Sequence, residues 1–174
     1  MNEAAGIKLS SRIIHSGKVF TAVTDYIQLP TGRKVTLDII RHRQSVILLP
    51  MPDSNHIILV RQYRYAIDQW VWELPAGNVE DHEHPDNAAR RECAEETGQA
   101  PSCIERLGAF FPTPGYCDEE MLFYRLTELQ PAPEAELDPD EVLEPHTFAL
   151  DHARRLVSER QIVDMKTALG LTLI

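Results

Sequence analysis

The sequence is short of positive charge and of long hydrophobic runs. Its 174 residues include 17 Lys and Arg against 27 Asp and Glu, a formal net charge of −10 at pH 7. Such an acidic chain is not expected to bind nucleic acid through a basic surface, and it repels anionic substrates unless metal ions or local arginines neutralise them. The longest apolar runs, Val46 to Leu49 and Ile57 to Val60, are too short to cross a bilayer. We therefore expect neither nucleic acid nor a membrane as partner.

Cysteine is also scarce. The three cysteines are odd in number and have no metal-like spacing, which argues against a disulfide framework or a zinc site. The first residues lack a charged and then apolar leader, so the cytoplasm is the expected compartment. With 43% apolar and 25% charged residues, the composition is that of a globular chain with one main core.

A carboxylate-rich helix is predicted from about Pro85 to Thr97. Proline suits the first turn, Asp86 lies near the positive end of the helix dipole, and Gly98 suits the C-terminal stop.

In this helix, Glu95 and Glu96 follow Glu92 by three and four residues, so the three glutamates share one face. Glu-rich helix faces are usually just solvated surface. Three like charges on one face repel one another, however, and hard cations such as Mg²⁺ take carboxylate oxygens while leaving room for substrate phosphates. A divalent metal is therefore the natural partner of this face.

The helix belongs to a longer pattern that resembles the Nudix box. The pattern consists of a glycine, a glutamate, an Arg-Glu pair, an apolar residue, a Glu-Glu pair and a second glycine, here Gly77, Glu83, Arg91-Glu92, Cys93, Glu95-Glu96 and Gly98. One position departs from the family, because Gln99 stands where a bulky apolar residue is expected. The resemblance implies an α+β fold: a Nudix α/β/α sandwich with a mixed β-sheet over residues 44–174.

The N-terminal 43 residues form the second predicted domain, a small antiparallel β-domain over residues 1–43. Residues from about Leu9 to His42 are predicted to form antiparallel strands: Val19–Val23 comes first, a turn follows at Pro30-Thr31-Gly32, and Val35, Leu37 and Ile39 then alternate with polar residues. This piece is too small to be stable alone, so it has to pack on the main domain or on a second copy of the chain.

The flanks of the box narrow the resemblance to the ADP-ribose pyrophosphatase group. They are Val60-Arg61-Gln62-Tyr63-Arg64, Trp72-Glu73-Leu74-Pro75-Ala76-Gly77 and Phe111-Pro112-Thr113-Pro114-Gly115-Tyr116-Cys117-Asp118-Glu119. In that group a proline about sixteen residues after the box marks a preference for ADP-ribose or related nucleoside diphosphate sugars, and Pro114 occupies this place. The group usually exchanges its N-terminal strands across a homodimer, which predicts a domain-swapped homodimer here.

The resemblance also implies a metal site. Its ligands would each supply a hard oxygen, with Mg²⁺ as the expected ion and Mn²⁺ able to substitute: Glu92, Glu95, Glu96 and the backbone carbonyl of Ala76. Arg91 would orient the glutamates through charge-assisted hydrogen bonds without touching substrate. The role of Glu83 stays open.

Substrate-binding and catalytic residues are implied in the same way. Arg64 is placed to meet a phosphate or the terminal ribose, and Glu73 and Glu119 match positions that hold substrate hydroxyls or metal in relatives, with Pro114 beside the substrate. Glu141 is the expected general base, although a shifted alignment would favour Asp138 or Asp140. The other expected catalytic residues lie in the box: Arg91, Glu92 and Glu96.

The nucleobase has two sets of candidate stacking partners. Trp70 and Trp72 are one set, although a tryptophan beside a buried strand more often fills the core. Phe20 and Tyr26 from the partner's N-terminal strands are the other.

After the box, strands are predicted at Ile104–Phe111 and Met121–Leu126, followed by a long acidic loop from Pro131 to Pro145. A helix capped by Asp151 and a last helix from about Gln161 to Leu169 are predicted to follow.

The expected activity is metal-dependent hydrolysis of the pyrophosphate of ADP-ribose or a related nucleoside diphosphate sugar. Two alternatives remain: another diphosphate substrate, such as GDP-mannose, a dinucleotide or a dinucleoside polyphosphate, or a non-catalytic nucleotide-sugar sensor. Sensors on this fold commonly lose box glutamates, and this chain keeps them.

Overall fold

The computed structural model describes residues 5–133, 135 and 142–174. Over these residues the chain forms ten β-strands and three α-helices, with a 3-10 turn at Tyr65–Ile67. The strands are β1 (Ile7–Ser16), β2 (Phe20–Gln28), β3 (Lys34–His42), β4 (Ser45–Pro50), β5 (His56–Arg64), β6 (Gln69–Glu73), β7 (Ala76–Asn78), β8 (Gln99–Phe110), β9 (Met121–Pro131) and β10 (Leu143–Ala149). The helices are α1 (Pro85–Thr97), α2 (Leu150–Ser158) and α3 (Met165–Gly170). None of the helices formed by these residues has the length and apolarity needed to span a bilayer.

The chain divides into two compact units. The first comprises Met1–Gln44 and Phe111–Glu120, and the second comprises Ser45–Phe110 and Met121–Ile174. No pattern in the sequence predicted that residues 111–120 would group with the N-terminal strands. The predicted division into domains 1–43 and 44–174 stays a prediction.

The first unit is built on an antiparallel sheet of order β1-β2-β3, which confirms the predicted N-terminal antiparallel sheet. Every residue of β1 is exposed to solvent. The segment 111–120 lies along β3, where the Ile40 amide donates to the Tyr116 carbonyl (2.7 Å) and the Asp118 amide donates to the Ile40 carbonyl (3.1 Å). The Arg41 guanidinium secures this arrangement by donating to Asp118 (2.9 Å) and to the buried Asp25 (2.5 Å).

The second unit contains a mixed four-stranded sheet of order β7-β4-β9-β8 and an antiparallel three-stranded sheet of order β10-β5-β6. The central strand β4 is parallel to β9, antiparallel to β7 and buried along its whole length. Because side chains alternate along a strand, its residues feed two cores. Val46 and Leu48 pack with α1, while Ile47 and Leu49 pack with β5, α2 and the C-terminal residues. This arrangement confirms the predicted α+β class with a mixed sheet.

Helix α1 has the predicted bounds because its signals are local. The His84 side chain accepts from the Asp86 amide (3.2 Å), Pro85 occupies the first turn, and Gly98 ends the helix with φ of +67°. A left-handed residue at this point favours glycine because it has no Cβ. The helix that carries the box is therefore specified by its own sequence.

The C-terminal helices differ from the prediction. The N-cap of α2 is Ala149, which makes no side-chain cap hydrogen bond, so the predicted cap at Asp151 is wrong: this residue lies in the first turn, near the positive end of the dipole. The last helix begins at Met165 instead of about residue 161. Asp164 caps it by accepting from the Thr167 amide (2.9 Å), and Arg160, at φ of +60°, turns the chain before it.

The predicted strands and loop also shift at their ends. β8 begins at Gln99, five residues before the predicted Ile104, and ends at Phe110. β9 runs to Pro131 and β10 begins at Leu143, so strands reach into both ends of the predicted loop. Long-range pairing extends strands beyond what their own sequence predicts.

Candidate active site

Arg91 on α1 is the centre of the carboxylate cluster. Its Nε and Nη2 donate to the two oxygens of Glu83 (3.0 and 2.9 Å), and its Nη1 donates to Glu92 (2.7 Å) and Glu95 (3.0 Å). Nη2 also donates to the carbonyl of Asn78 on β7 (3.1 Å). One guanidinium thus connects three glutamates and ties the helix to the neighbouring strand.

Within this cluster the pKa of Arg91 is raised and the pKa of Glu83 is lowered. The hydrogen bond to Glu83 raises the pKa of Arg91 above its ordinary value, with Glu92 contributing to the increase. In turn, the hydrogen bond from Arg91 lowers the pKa of Glu83. Arg91 and Glu83 therefore form an ion pair, so Glu83, whose role the sequence left open, is a partner of Arg91.

Gly77 forms a cradle for the carboxylate of Glu92. A Cβ added at residue 77 would overlap the Cδ and both carboxylate oxygens of Glu92. Glycine therefore leaves space for the Glu92 carboxylate here, and any side chain at residue 77 would displace that carboxylate from this position.

Glu96 lies beside the backbone of Ala76. The Ala76 amide donates to Oε2 of Glu96 (3.1 Å), and Glu96 is only 6% exposed. On the opposite edge of β7, the Leu48 amide of β4 donates to the carbonyl of Pro75 (2.9 Å). Hydrogen-bonded and non-hydrogen-bonded pairs alternate in an antiparallel ladder, so Ala76, paired with Ile47, directs its amide and carbonyl away from β4. Both groups thus face the side on which Glu96 lies.

The donor set fits a hard divalent cation. It combines glutamate carboxylates with a backbone carbonyl that is not engaged by the sheet ladder, and these are the oxygen ligands that Mg²⁺ takes. Among the described residues, no three His, Cys, Asp or Glu side chains already converge on a common metal position. Arg91 engages Glu92 and Glu95 instead. The metal-ligand assignment of Ala76, Glu92, Glu95 and Glu96 stays a prediction.

Arg64 and Glu73, both predicted to bind substrate, form a bidentate ion pair. The Nε and Nη2 of Arg64 donate to the two oxygens of Glu73, each at 2.7 Å. Glu73 is 3% exposed, whereas the Arg64 side chain is 44% exposed. Glu96 is among the carboxylates that raise the pKa of Arg64, after the larger effect of its hydrogen bond to Glu73. The pair therefore presents a guanidinium within electrostatic reach of Glu96 on α1.

Lys166 and Asp164 join this pair and were missed from the sequence. The Nζ of Lys166 contacts Oε2 of Glu73 and lies 3.1 Å from Asp164. The only available signal was a single lysine among apolar residues near the C-terminus. The contact joins residues 93 positions apart, which no local pattern indicates.

The remaining predicted site residues lie in the first unit or outside the described residues. Pro114 and Glu119 belong to the first unit, where Glu119 lies 4.0 Å from Nδ1 of His42, and their substrate-binding role stays a prediction. Glu141, with the alternatives Asp138 and Asp140, lies outside the described residues, so its assignment as general base also stays a prediction.

The two tryptophans differ in environment. Trp72 packs edge-on against Phe148 (4.9 Å between ring centroids) and belongs to the margin of the core. Trp70 is exposed, and the guanidinium of Arg61 lies over its ring, 5.0 Å from the ring centroid.

Cys93 fills the apolar position of the box. It is fully buried in the core between α1 and the mixed sheet, and burial raises the pKa of its thiol to about 11. A protonated, buried thiol is a packing group and not a nucleophile.

The chain is similar in sequence and in fold to known proteins. A model of the NUDIX domain matches residues 41–165. The chain is 35% identical over 159 residues to the ADP-ribose pyrophosphatase of Bacillus subtilis (strain 168), covering 91% of this chain and 86% of that protein. It is 34% identical to the methanol dehydrogenase activator of Bacillus methanolicus, with the same coverage of 91% and 86%. A solved structure described as an ADP compounds hydrolase superposes with a TM-score of 0.86 over 99% of this chain and 94% of that one, at 21% identity, which supports the fold.

Proposed function

This chain belongs to the Nudix hydrolase family, and from that premise we propose that it hydrolyses the pyrophosphate bond of ADP-ribose or a related nucleoside diphosphate sugar. The products would be a nucleoside monophosphate and a sugar phosphate. The observation that carries the proposal is the cluster around Arg91 of α1, which holds Glu83 from the preceding loop and Glu92 and Glu95 from the helix beside the glycine cradle of β7. The Bacillus subtilis relative, aligned over nearly the whole chain, supports the choice of substrate.

A divalent metal ion is part of the proposal, since Nudix hydrolases generally use one. We propose Mg²⁺, with Mn²⁺ able to substitute, held by Glu92, Glu95, Glu96 and the carbonyl of Ala76. When bound, the ion would neutralise the pyrophosphate and polarise its phosphorus. The net charge of −10 makes this neutralisation necessary, because an acidic protein repels a diphosphate.

The side chains of the protein divide the remaining tasks. Arg91 keeps Glu92 and Glu95 oriented on one face of the helix. Arg64 offers its remaining guanidinium donors to a phosphate, with Glu73 beside it. Glu141 is proposed to take the proton of the attacking water, while Pro114 and Glu119 are proposed to contact the nucleoside diphosphate sugar.

The proposed activity predicts a strict metal requirement. Purified protein should release AMP and ribose 5-phosphate from ADP-ribose in the presence of Mg²⁺, as measured by anion-exchange chromatography. Removal of the metal with EDTA should stop the reaction, and excess Mg²⁺ should restore it. A parallel panel of GDP-mannose, a dinucleotide and a dinucleoside polyphosphate provides the control. Faster hydrolysis of one of these would replace ADP-ribose as the substrate, and binding without any hydrolysis would support a sensor.

We also propose that the chain forms a domain-swapped homodimer through its N-terminal strands. Support comes from β1, whose residues are all exposed and include the apolar Ile7, Leu9, Ile13 and Ile14. Exposed apolar patches of this kind mark interaction surfaces. Light scattering coupled to size-exclusion chromatography should give twice the chain mass of 19.8 kDa. A mass of one chain at micromolar concentration would contradict the dimer.

A further inference from the structure

Lys166, in the first turn of α3, is a buried charged residue among the described residues of the second unit. It is 8% exposed, and its ammonium group lies between the carboxylates of Glu73 and Asp164. Lysine is almost never buried in proteins unless it is paired. Lys166 meets this condition through two carboxylates, and one of them, Glu73, is also the partner of Arg64.

The surrounding charges alternate in sign from the end of the chain towards the candidate site. Asp164 forms an ion pair with Lys166, Lys166 forms one with Glu73, and Glu73 forms one with Arg64. Only the last member is substantially exposed, with 44% of its side chain accessible. The row thus begins at the N-cap of α3 and ends at the guanidinium proposed to meet a phosphate.

Both oxygens of Glu73 are engaged within this row. Oε1 accepts from Nε of Arg64, while Oε2 accepts from Nη2 of Arg64 and from Lys166. A guanidinium has five N–H donors in a rigid fork, so two donors directed at Glu73 leave the others on the outer edge. Glu73 therefore fixes the plane in which Arg64 presents that outer edge.

Arg64 and Lys166 together keep the pKa of this carboxylate low despite its burial. Burial raises the pKa of Glu73, but the hydrogen bonds from Arg64 and the charge of Lys166 outweigh it, so the pKa lies below its ordinary value. A neutral Glu73 would hold the guanidinium with a weaker hydrogen bond. Arg64 would then lose the restraint that holds it in place before substrate binds.

We infer that Lys166 is a positioning residue for substrate binding, acting through Glu73 to hold the Arg64 guanidinium ready for a phosphate of the nucleoside diphosphate. The inference rests on the proposed function. Glu73 then contributes to substrate binding by orienting Arg64, and α3 contributes by supplying Lys166. Binding is stronger when a side chain is ordered in advance, because less conformational entropy is lost on association.

A double-mutant cycle on steady-state kinetics tests the inference. Lys166→Met should raise KM for ADP-ribose by about tenfold, with kcat changed by no more than about twofold, since the loss concerns binding. In an Arg64→Ala background the same substitution should leave KM unchanged, because the group that it positions is absent. Lys166→Arg, which retains the charge, should recover much of the wild-type KM.

A matched control separates this role from simple packing. Arg154 on α2 is also a cation near the C-terminus, where it donates to the carbonyls of Leu171 and Ile174 without reaching Glu73. Arg154→Met should lower the melting temperature and leave KM at the wild-type value. If circular dichroism shows that Lys166→Met does not fold, the same double-mutant cycle is measured with Lys166→Gln, because the glutamine amide retains a hydrogen-bond donor.

The possible outcomes distinguish the inference from the proposed function. An active wild type in which Lys166→Met raises KM equally with and without Arg64 would overturn the inference and leave the function standing. An unchanged KM in Lys166→Met would do the same. Failure of the wild type to hydrolyse ADP-ribose or any other nucleoside diphosphate sugar would overturn the proposed function and, with it, this role for Lys166.

Discussion

Replacing Glu96 by Gln is expected to lower kcat for ADP-ribose by about 100-fold or more, the scale of losing one preorganised electrostatic contact to a transition state. Glutamine has nearly the same volume, and its amide oxygen can still accept from the Ala76 amide, as Oε2 of Glu96 does at 3.1 Å. The substitution therefore removes one negative charge from a buried position without disturbing the packing. Initial rates at saturating ADP-ribose and Mg²⁺ provide the measurement.

The Glu96→Gln result should be accompanied by a change in metal dependence. The Mg²⁺ concentration for half-maximal rate should rise, because one proposed ligand has lost its charge. Glu105→Gln provides the matched control, since Glu105 is an exposed carboxylate on β8 that pairs with Arg125. We expect wild-type kinetics from the control. Wild-type kcat in Glu96→Gln would remove this residue from the proposed chemistry.

Replacing Arg91 by Met is expected to have the second largest effect, a fall in kcat/KM of about 10- to 100-fold, the usual cost of losing a residue that orients metal ligands. Arg91 makes hydrogen bonds to Glu83, Glu92 and Glu95 from one planar group. Without it, the three carboxylates repel one another and lose their common orientation. Arg91→Lys should recover little of this activity, because a point charge on a flexible chain cannot bond three carboxylates in fixed directions.

The neighbouring Arg90 offers a control on the same helix. Its Nη1 donates to the backbone carbonyl of Pro101 at 2.5 Å and has no hydrogen bond to the box glutamates among the described contacts. Arg90→Met should therefore lower the melting temperature while kcat/KM stays close to the wild-type value. Equal losses of activity in Arg90→Met and Arg91→Met would show that helix stability, and not carboxylate orientation, explains the effect.

The parts of the site that could be predicted from the sequence lie on one short helix. The bounds of α1 follow from Pro85 and Gly98, and the common face of its glutamates follows from helix geometry. Arg91 could also be placed among these glutamates, because its partners on the helix are one and four residues away. Local spacing and the box resemblance were sufficient for these features.

The positions that could not be predicted depend on contacts between distant parts of the chain. Lys166 meets Glu73 across 93 residues, and the segment 111–120 joins β3 through Arg41 and Asp118, which are 77 residues apart. Nothing in the sequence around these residues indicates the pairing. The start of α3 was misplaced for a related reason: its cap at Asp164 follows a left-handed turn at Arg160.

By itself, the sequence determined the family, the α+β class and the carboxylate face of α1, because these depend on spacings of a few residues that an α-helix converts directly into neighbours. Only the tertiary structure decided that Gly77 leaves room for Glu92, that Ala76 turns its backbone towards Glu96, and that Lys166 reaches Glu73. The physical reason is that these contacts form when separate strands and helices pack against each other, so their geometry depends on the whole fold.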